Sequence, residues 1–465
     1  MSSNSDEKLD FKRLLPILVI VLVDLLGLTI IIPLLPIYAA SFGASPMMIG
    51  VMAAMYPIMQ FIGAPILGRL SDRYGRKPVL VISQFGTLIG FIMLGMANAL
   101  PLILLSRIID GISGANIATA RAAITDSTSE RNRTQGLGLI GAAFGLGFTI
   151  GPVIAFLSLA FSDNNYHIPA FVAAAFSLAS ILLTVFWFKE TLPEDQRGAG
   201  SDKPSLSLKS FAATFRHPTV GFLLVLMFVQ QLAFGGFEQL LALFTLNVLG
   251  LSAKGNALIF VFIGILVVVV QGGLIGKWSR RYGDRRLVYV GMLLLAGGLI
   301  MMAFTPSQPL PGYSQAALTS ELTNTGQSDL DAQASVSTAE DILVDLPDDG
   351  NTGVLGLLWL LVAMIPLSIG GGILRPSINS LITKGVEHQE VGGVLGVASS
   401  STSAANAIAP LIGGLFFQLF GPRSPFIVGG LVVALLAVVS LQRLRATDDI
   451  SADTARGDTK GHSLG

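Results

Sequence analysis

The sequence predicts an all-α integral membrane protein, with twelve transmembrane helices arranged as two pseudo-symmetric six-helix bundles. Three observations predict it. Of 465 residues, 52% are hydrophobic and only 12% are charged, against roughly 25% charged in soluble domains, and the mean hydropathy is +0.70. Apolar runs long enough to cross a bilayer recur along the chain in two sets of six. A polar loop motif occurs twice, once in each set. A soluble enzyme, a nucleic-acid binder or a disordered chain would need far more surface charge. Cysteine is absent, which excludes disulfides, thiolate metal sites and a cysteine nucleophile.

The first run, Leu14 to Ala40, is too long for the core of a signal peptide and reads as a retained span. Runs at 48–68, 78–98, 101–123, 137–160 and 169–188 complete the first set. The second set lies at 218–248, 256–276, 286–304, 353–383, 391–419 and 425–442. In lipid the backbone must satisfy its own hydrogen bonds, so each run is a helix. The organisation expected is a first bundle over 1–188, a linker over 189–216, a second bundle over 217–445 and a tail over 446–465.

Lys and Arg set the expected orientation. With the amino terminus inside, the outer loops 41–47, 99–100, 161–168 and 305–352 carry neither residue. The other two outer loops carry one each, Lys254 and Arg423. The inner segments hold nearly all the rest, including Arg69, Arg73, Arg76 and Lys77 after span two and Lys277 to Arg286 after span eight. Such asymmetry places both termini in the cytoplasm, with the chain in the plasma (inner) membrane.

The repeat is measurable. Gly68-Arg-Leu-Ser-Asp-Arg-Tyr-Gly75 matches Gly276-Lys-Trp-Ser-Arg-Arg-Tyr-Gly283 at an offset of 208, and Gly151-Pro152 matches Ala409-Pro410 at an offset of 258. An insertion of about 50 residues therefore lies between 283 and 409. Segment 305–352 fits, with eight acidic residues and no basic one, and reads as a mobile outward loop. Parallel six-helix repeats build transporters that rock about a midplane site.

Within the first copy of the loop motif, Gly68 and Gly75 bracket a tight turn, and Asp72 sits among Arg69, Arg73, Arg76 and Lys77. An acid among cations can latch helix ends through charge-assisted hydrogen bonds that break when the ends part. A loop that only sets topology is the competing reading. The second copy has Arg280 where the first has Asp72, so a latch there must work differently.

Ionisable residues inside apolar runs are costly and mark function. Asp24 stands eleven residues past Arg13, about 16 Å into a core of about 30 Å. Without a fixed cation beside it, such a carboxylate is a candidate to take up and release protons; a static polar partner is the alternative. Arg107 and Asp110 share a face of span four, either as a coupling pair or as a structural ion pair. Glu238, late in span seven, is a further candidate, and Arg375 in span ten carries no assignment. Gln60, Asn116, Gln230, Gln231, Gln271 and Asn406 are candidates to line a substrate cavity. Gly141, Gly145, Gly147 and Gly151 offer small positions for close helix packing, and Pro152 and Pro410 permit bending.

These motifs resemble those of the major facilitator superfamily. Gly68 to Leu80 reads as its cytoplasmic signature. Asp24 with Gly27-Leu28-Thr29, Arg107 to Ala115, Gly147 to Pro152, and Lys189 to Pro193 are similar to stretches of its twelve-span drug:proton antiporters, tetracycline exporters included. The resemblance implies that Asp126 joins Asp72 and Arg76 in an inner charge relay supported by Arg121. Two departures stand out. Ala155-Phe156 replace the glycines that continue the fifth-span motif, and span three lacks the embedded acid of tetracycline exporters. Tetracycline is therefore not the expected substrate.

No Walker-type loop appears, so the expected energy source is the proton motive force rather than a nucleotide or other cofactor. The four histidines lie in loops or at helix ends, and no metal site is expected. Basic residues without interleaved aromatics give no nucleic-acid surface. The expected partners are a small lipophilic substrate, protons and the lipid bilayer, with the chain acting as a monomer. The expected function is proton-coupled export by alternating access. A proton-coupled uptake carrier or facilitator is the first alternative, and a non-transporting receptor is the second.

Overall fold

The computed structural model describes residues 11–129, 132–198, 215, 218–326, 343–386 and 391–441. Most of the linker 189–216, the middle of the insertion and the tail 446–465 lie outside the described residues. Among the described residues the regular structure is wholly helical. Twelve helices are long and apolar enough to span a membrane: Leu14–Ile31, Pro46–Tyr74, Arg76–Gly95, Leu100–Asp126, Gly136–Ala160, His167–Phe186, Val220–Leu249, Ala253–Tyr282, Asp284–Ala303, Leu355–Lys384, Gly393–Phe420 and Ser424–Leu441.

Three runs are more broken than their hydropathy implies. The first helix stops at Ile31, and a separate buried helix, Leu35–Ser41, follows. Pro33 and Pro36 sit at this break, where a missing N–H prevents one continuous helix. The fourth span divides at Gly114-Ala115 into Leu100–Ser113 and Asn116–Asp126. The eighth widens into a π turn at Val269–Leu274 before Ile275–Tyr282, a feature frequent at functional sites.

The first six spans pack as one bundle. The first lies against the fifth and sixth, the third against the fourth and sixth, and the second against the fourth. In the other bundle the seventh packs on the tenth and eleventh, and the ninth on the tenth. The main contacts between bundles are second with eleventh and fifth with eighth, with a smaller one between second and seventh. Loops carrying the Arg-rich motifs share one face, hereafter the basic face; the 305–352 insertion lies on the opposite, acidic face.

Glycines locate where the bundles touch. A Cβ at Gly50 would collide with the Pro410 carbonyl, and one at Gly414 would lie 2.8 Å from Pro46 O. Met47 N donates to Gln418 Oε1 at 3.1 Å in the same region. A Cβ at Gly264 would meet Thr149 Cα at 2.9 Å. All these contacts lie in the middle or acidic half of the spans. Gly145, Gly141 and Gly138 continue the Thr149 face of span five toward the basic side and have nothing within 4 Å. Gly68, Gly272 and Gly273 are equally open, and a Cβ at Gly276 would meet only the end of the Arg280 side chain at 3.9 Å. The bundles are therefore joined at the acidic face and splay into a cleft open at the basic face.

The insertion is not simply a free loop. Its helix Gln315–Gly326 packs on Leu35–Ser41 of the first bundle. Glu321 there accepts from Tyr166 Oη at 2.7 Å and from Asn164 Nδ2 at 3.4 Å. A segment of the second bundle thus clasps the loop between spans five and six, across the closed end of the cleft.

Candidate substrate and proton site

The polar centre forms where the first span passes the break in the fourth. Asp24 is half-buried. Its Oδ2 accepts from Asn116 Nδ2 at 2.9 Å, and its Oδ1 is buried with no hydrogen-bond partner. Two recesses meet at Asp24: one reaches Gln84 and Asn116, the other Tyr56, Gln60, Thr87 and Asp110, and Ile117 lines both. The fourth-span break is what places Asn116 here, as the first residue of the second helix segment.

Gln60 and Tyr56 fill the notch at that break. Gln60 Nε2 donates to Gly114 O at 2.9 Å and to Tyr56 Oη at 3.2 Å. A Cβ at Gly114 would strike the Tyr56 hydroxyl, so only glycine fits. Tyr56 lines the second recess together with Asp24 and Asp110. No sequence signal singled it out, beyond being one of seven tyrosines in the chain.

Beneath this chain lies the buried pair. Arg107 Nη1 is 3.2 Å from Asp110 Oδ2, with both side chains 2% exposed. The guanidinium packs over Phe91 at 5.7 Å, and its Nε and Nη2 have no hydrogen-bond partner. An ion pair so desolvated persists only because losing one partner would leave a bare buried charge.

The second bundle supplies a separate polar pair, Gln231 Nε2 to Asn406 Oδ1 at 2.8 Å. Gln271 sits in the π turn of span eight and is exposed, outside both recesses at Asp24. Glu238 lies two turns beyond Gln231 toward the acidic face, and no hydrogen bond or ion pair among the described residues joins it to the Asp24 centre.

At the basic face the expected trio of Asp72, Arg76 and Asp126 forms one charged cluster. Arg76 is its hub: Nη1 bonds Asp72 Oδ1 at 2.5 Å and Ser71 Oγ at 2.8 Å, and Nε bonds Asp126 Oδ2 at 2.8 Å. Arg73 turns away over Tyr74, and Gly68 is open. Arg121 makes no side-chain hydrogen bond or ion pair there among the described residues, and its side chain is exposed.

Glu190 completes the cluster, a placement the sequence alone does not reveal. Its carboxylate accepts the amides of Arg76, Lys77, Thr191 and Leu192 at 2.9–3.0 Å, capping the third span. Burial alone would raise it, but the four donated N–H groups hold it below the ordinary glutamate range. Gly75 has φ 102°, and a Cβ there would lie 2.5 Å from Glu190 Oε2, so the turn requires glycine twice over.

The fifth-span motif packs within its own bundle. Thr29 Oγ1 donates to Gly147 O at 2.9 Å and to Leu25 O at 2.8 Å, and a Cβ at Gly151 would collide with Thr29. Gly147, Gly151 and buried Pro152 thus seat span five on span one, close above Asp24. Pro410 takes its place at the contact with Gly50.

Twelve helices in two bundles, around a polar cleft open on one face, define a membrane transporter. The profile of the Major Facilitator Superfamily matches residues 17–320 and 352–460, its gap falling within the insertion. The chain belongs to the Major Facilitator Superfamily and is a transporter, not an enzyme. It is 28% identical over 399 residues to the class B tetracycline resistance protein of Escherichia coli, covering 85% of this chain and 86% of that one. It is 26% identical over 416 residues to multidrug resistance protein 2 of Bacillus subtilis (strain 168), covering 89% and 90%. Among solved structures, the human organic anion transporter MFSD10 (TETRAN) superposes with a TM-score of 0.56 at 21% identity, over 92% of this chain and 99% of that one. The nucleoside transporter NupG gives 0.66 at 13% identity, over 93% and 99%.

Proposed function

We propose that this transporter exports small lipophilic compounds from the cytoplasm in exchange for protons, with Asp24 as the proton carrier. The single observation that carries the reading is the state of that carboxylate. One oxygen is held by Asn116, and among the described residues the other has no partner and no cation is paired with it. A carboxylate in that position can be neutralised by a proton or engaged by a substrate, and the two compete. The names of the tetracycline and multidrug resistance relatives point toward export.

The cycle follows from the two-bundle geometry. The basic face is the cytoplasmic one by its charge. With the cleft open there, Asp24 gives up its proton and a substrate enters beside it. Parting of the acidic-face contacts, with closure at the basic face, then exposes the site to the outside, where substrate leaves and a proton returns. Arg107 and Asp110 hold the polar floor in place, and Tyr56 and Gln60 link it to Asp24. A proton moving inward across 100 mV supplies about 2.3 kcal/mol per charge, enough for modest uphill export. The protein acts alone in the plasma membrane, with no cofactor beyond the proton gradient.

The test is substrate flux. Everted vesicles containing the protein, energised by respiration, should accumulate ethidium and lose it on adding an uncoupler. Asp24→Asn should insert normally and accumulate none. Accumulation by Asp24→Asn at the wild-type rate would remove Asp24 from the coupling.

A further inference from the structure

The first recess at Asp24 lies within the first bundle, among spans one, three, four and six. Its polar lining is Asp24, Gln84 and Asn116, and Ile20, Leu80 and Phe188 are among its apolar walls. Gln84, on span three, is fully buried. Its amide has one permitted orientation. Ser180 Oγ donates to Ile20 O at 3.4 Å, so its single proton is spent, and it accepts from Gln84 Nε2 at 2.8 Å. Ser177 Oγ donates to the main-chain O of Gln84 at 3.2 Å and ties the same stretch of span three to span six.

With Nε2 held by Ser180, Gln84 Oε1 points elsewhere, and it finds no donor among the described residues. Asp24 Oδ1 is likewise buried without a partner, since Asn116 Nδ2 serves Oδ2. Two orphaned acceptors thus belong to residues that share one recess. That arrangement is unfavourable for an ionised carboxylate, because buried acceptors lose water and gain no donor. A proton on Oδ1 turns one acceptor into a donor and leaves the other to receive it.

Nothing else around this recess serves the same purpose. Asp24 is the one ionisable group among the described residues that line it. The second recess adds Tyr56 and Asp110, and Asp110 is paired with Arg107. Spans five and six pack on span one and carry no ionisable side chain over 134–160 and 168–186. On span three, Arg76 and Lys77 stand at the basic end. On the second segment of span four, Arg121 is exposed and Asp126 is bound to Arg76.

Resting on the reading of Asp24 as the proton carrier, we infer that Gln84 is the positioning residue that holds the proton there: the loaded carboxyl donates from Oδ1 to Gln84 Oε1, directly or across one water. The recess has room for about one water molecule. The proton stays bonded to Asp24, and Gln84 only accepts the hydrogen bond. Unloading breaks the O–H bond and passes the proton to water. Ser180 belongs to the device, because its hold on Nε2 keeps the amide from turning an N–H toward the carboxylate, which would favour the charged form.

The test is an infrared pH titration of the full chain, purified in a nonionic detergent and free of substrate. The carboxyl band of Asp24 is assigned by its absence in Asp24→Asn. Gln84→Met keeps the side-chain length and removes the acceptor. The band should then shift in frequency, and its midpoint should move to lower pH by about one unit, tenfold in proton affinity. Ser180→Ala should move the midpoint the same way, and the double variant should move it no further than Gln84→Met does. A Gln84→Met midpoint equal to or above that of the wild type would overturn the assignment, as would additive shifts in the double variant. A merely structural role for Gln84 would lower the melting temperature and leave the band unmoved. If Gln84→Met does not fold, Ser180→Ala decides by the same criterion. The titration needs no cargo, so the two claims fail separately. A wild type that titrates but releases no proton on binding substrate would sink the export reading. Normal release with an unshifted Gln84→Met band would sink the role of Gln84 alone.

Discussion

Lys384 Nζ lies 2.6 Å from Asp284 Oδ2, at the place in the second bundle that Asp126 and Arg76 occupy in the first, with the charges exchanged. Asp284 follows Arg76 by 208 residues and Lys384 follows Asp126 by 258, the two offsets that relate the repeats. Ser71 and Ser279 correspond too, each bonding its central charged group. The loop copy with Arg280 in place of the acid keeps an ion pair at its end, with the polarity reversed. The buried member is the hub in both bundles, Arg76 in one and Asp284 in the other.

Removing a hub should therefore cost more than removing a spoke. Asp284→Asn leaves Lys384, Ser279 and Ser380 donating to a weaker acceptor, and should destabilise by about 1–3 kcal/mol. Lys384→Met, whose side chain is 67% exposed, should cost less than about 1 kcal/mol. Thermal unfolding in detergent measures both, and an equal loss would contradict the hub assignment.

Glu190 gives the basic face an acid limb. Its carboxyl is depressed in the folded protein, so its contribution is present above the ordinary value of 4.5 and fades as pH falls through that value toward its folded one. Stability should change little on its account between pH 8 and pH 5.5. Glu190→Gln should lose about 1 kcal/mol at pH 7, as for loss of a helix cap. Denaturation against pH for both proteins should show curves that converge only in acid.

At the acidic face the sign is opposite. Burial raises Glu321 above 4.5, and the hydrogen bonds from Tyr166 and Asn164 and the charge of Lys254 only partly offset it. An acid raised in the clasped state binds protons more tightly there than when released into water. The clasp is then strongest at low pH and weakens as pH rises through the raised value. Spin labels across the acidic face should report more opening at pH 8 than at pH 5. Tyr166→Phe should favour opening by about 1 kcal/mol, roughly fivefold in population.

Gly50 and Gly414 are the contact that must part for the acidic face to open. Gly50→Leu cannot pass the Pro410 carbonyl, so it should drive the population toward the state open at that face. Cysteine accessibility near Asn116 should fall from the basic side and rise from the acidic side. An unchanged pattern would mean that this contact does not define the closed end.

What the sequence disclosed follows interaction range. Twelve apolar runs and the lone Asp24 are local signals of composition and spacing, and each lies within a spanning helix. The tight turn read between Gly68 and Gly75 is shorter than expected: Pro46–Tyr74 is one helix, and only Gly75 breaks it before Arg76. Glu190 reaches Arg76 across 114 positions and Asp284 reaches Lys384 across 100, and packing alone decides such pairings. Tyr56 gains its position from the notch at Gly114, which apolar periodicity cannot show. The resemblance placed Arg121 with Arg76, Asp72 and Asp126, and no side-chain hydrogen bond or ion pair among the described residues joins it to them. The insertion read as a loop by composition, yet part of it is a helix docked on the opposite bundle.

The central claim is that substrate and proton compete at Asp24. The direct measurement is the pH change of a weakly buffered solution of the purified protein when a transported substrate is added. The wild type should release close to one proton per bound substrate near neutral pH, and Asp24→Asn none, while still binding the substrate. Substrate binding by the wild type with no proton release at any pH between 5 and 8 would contradict the account.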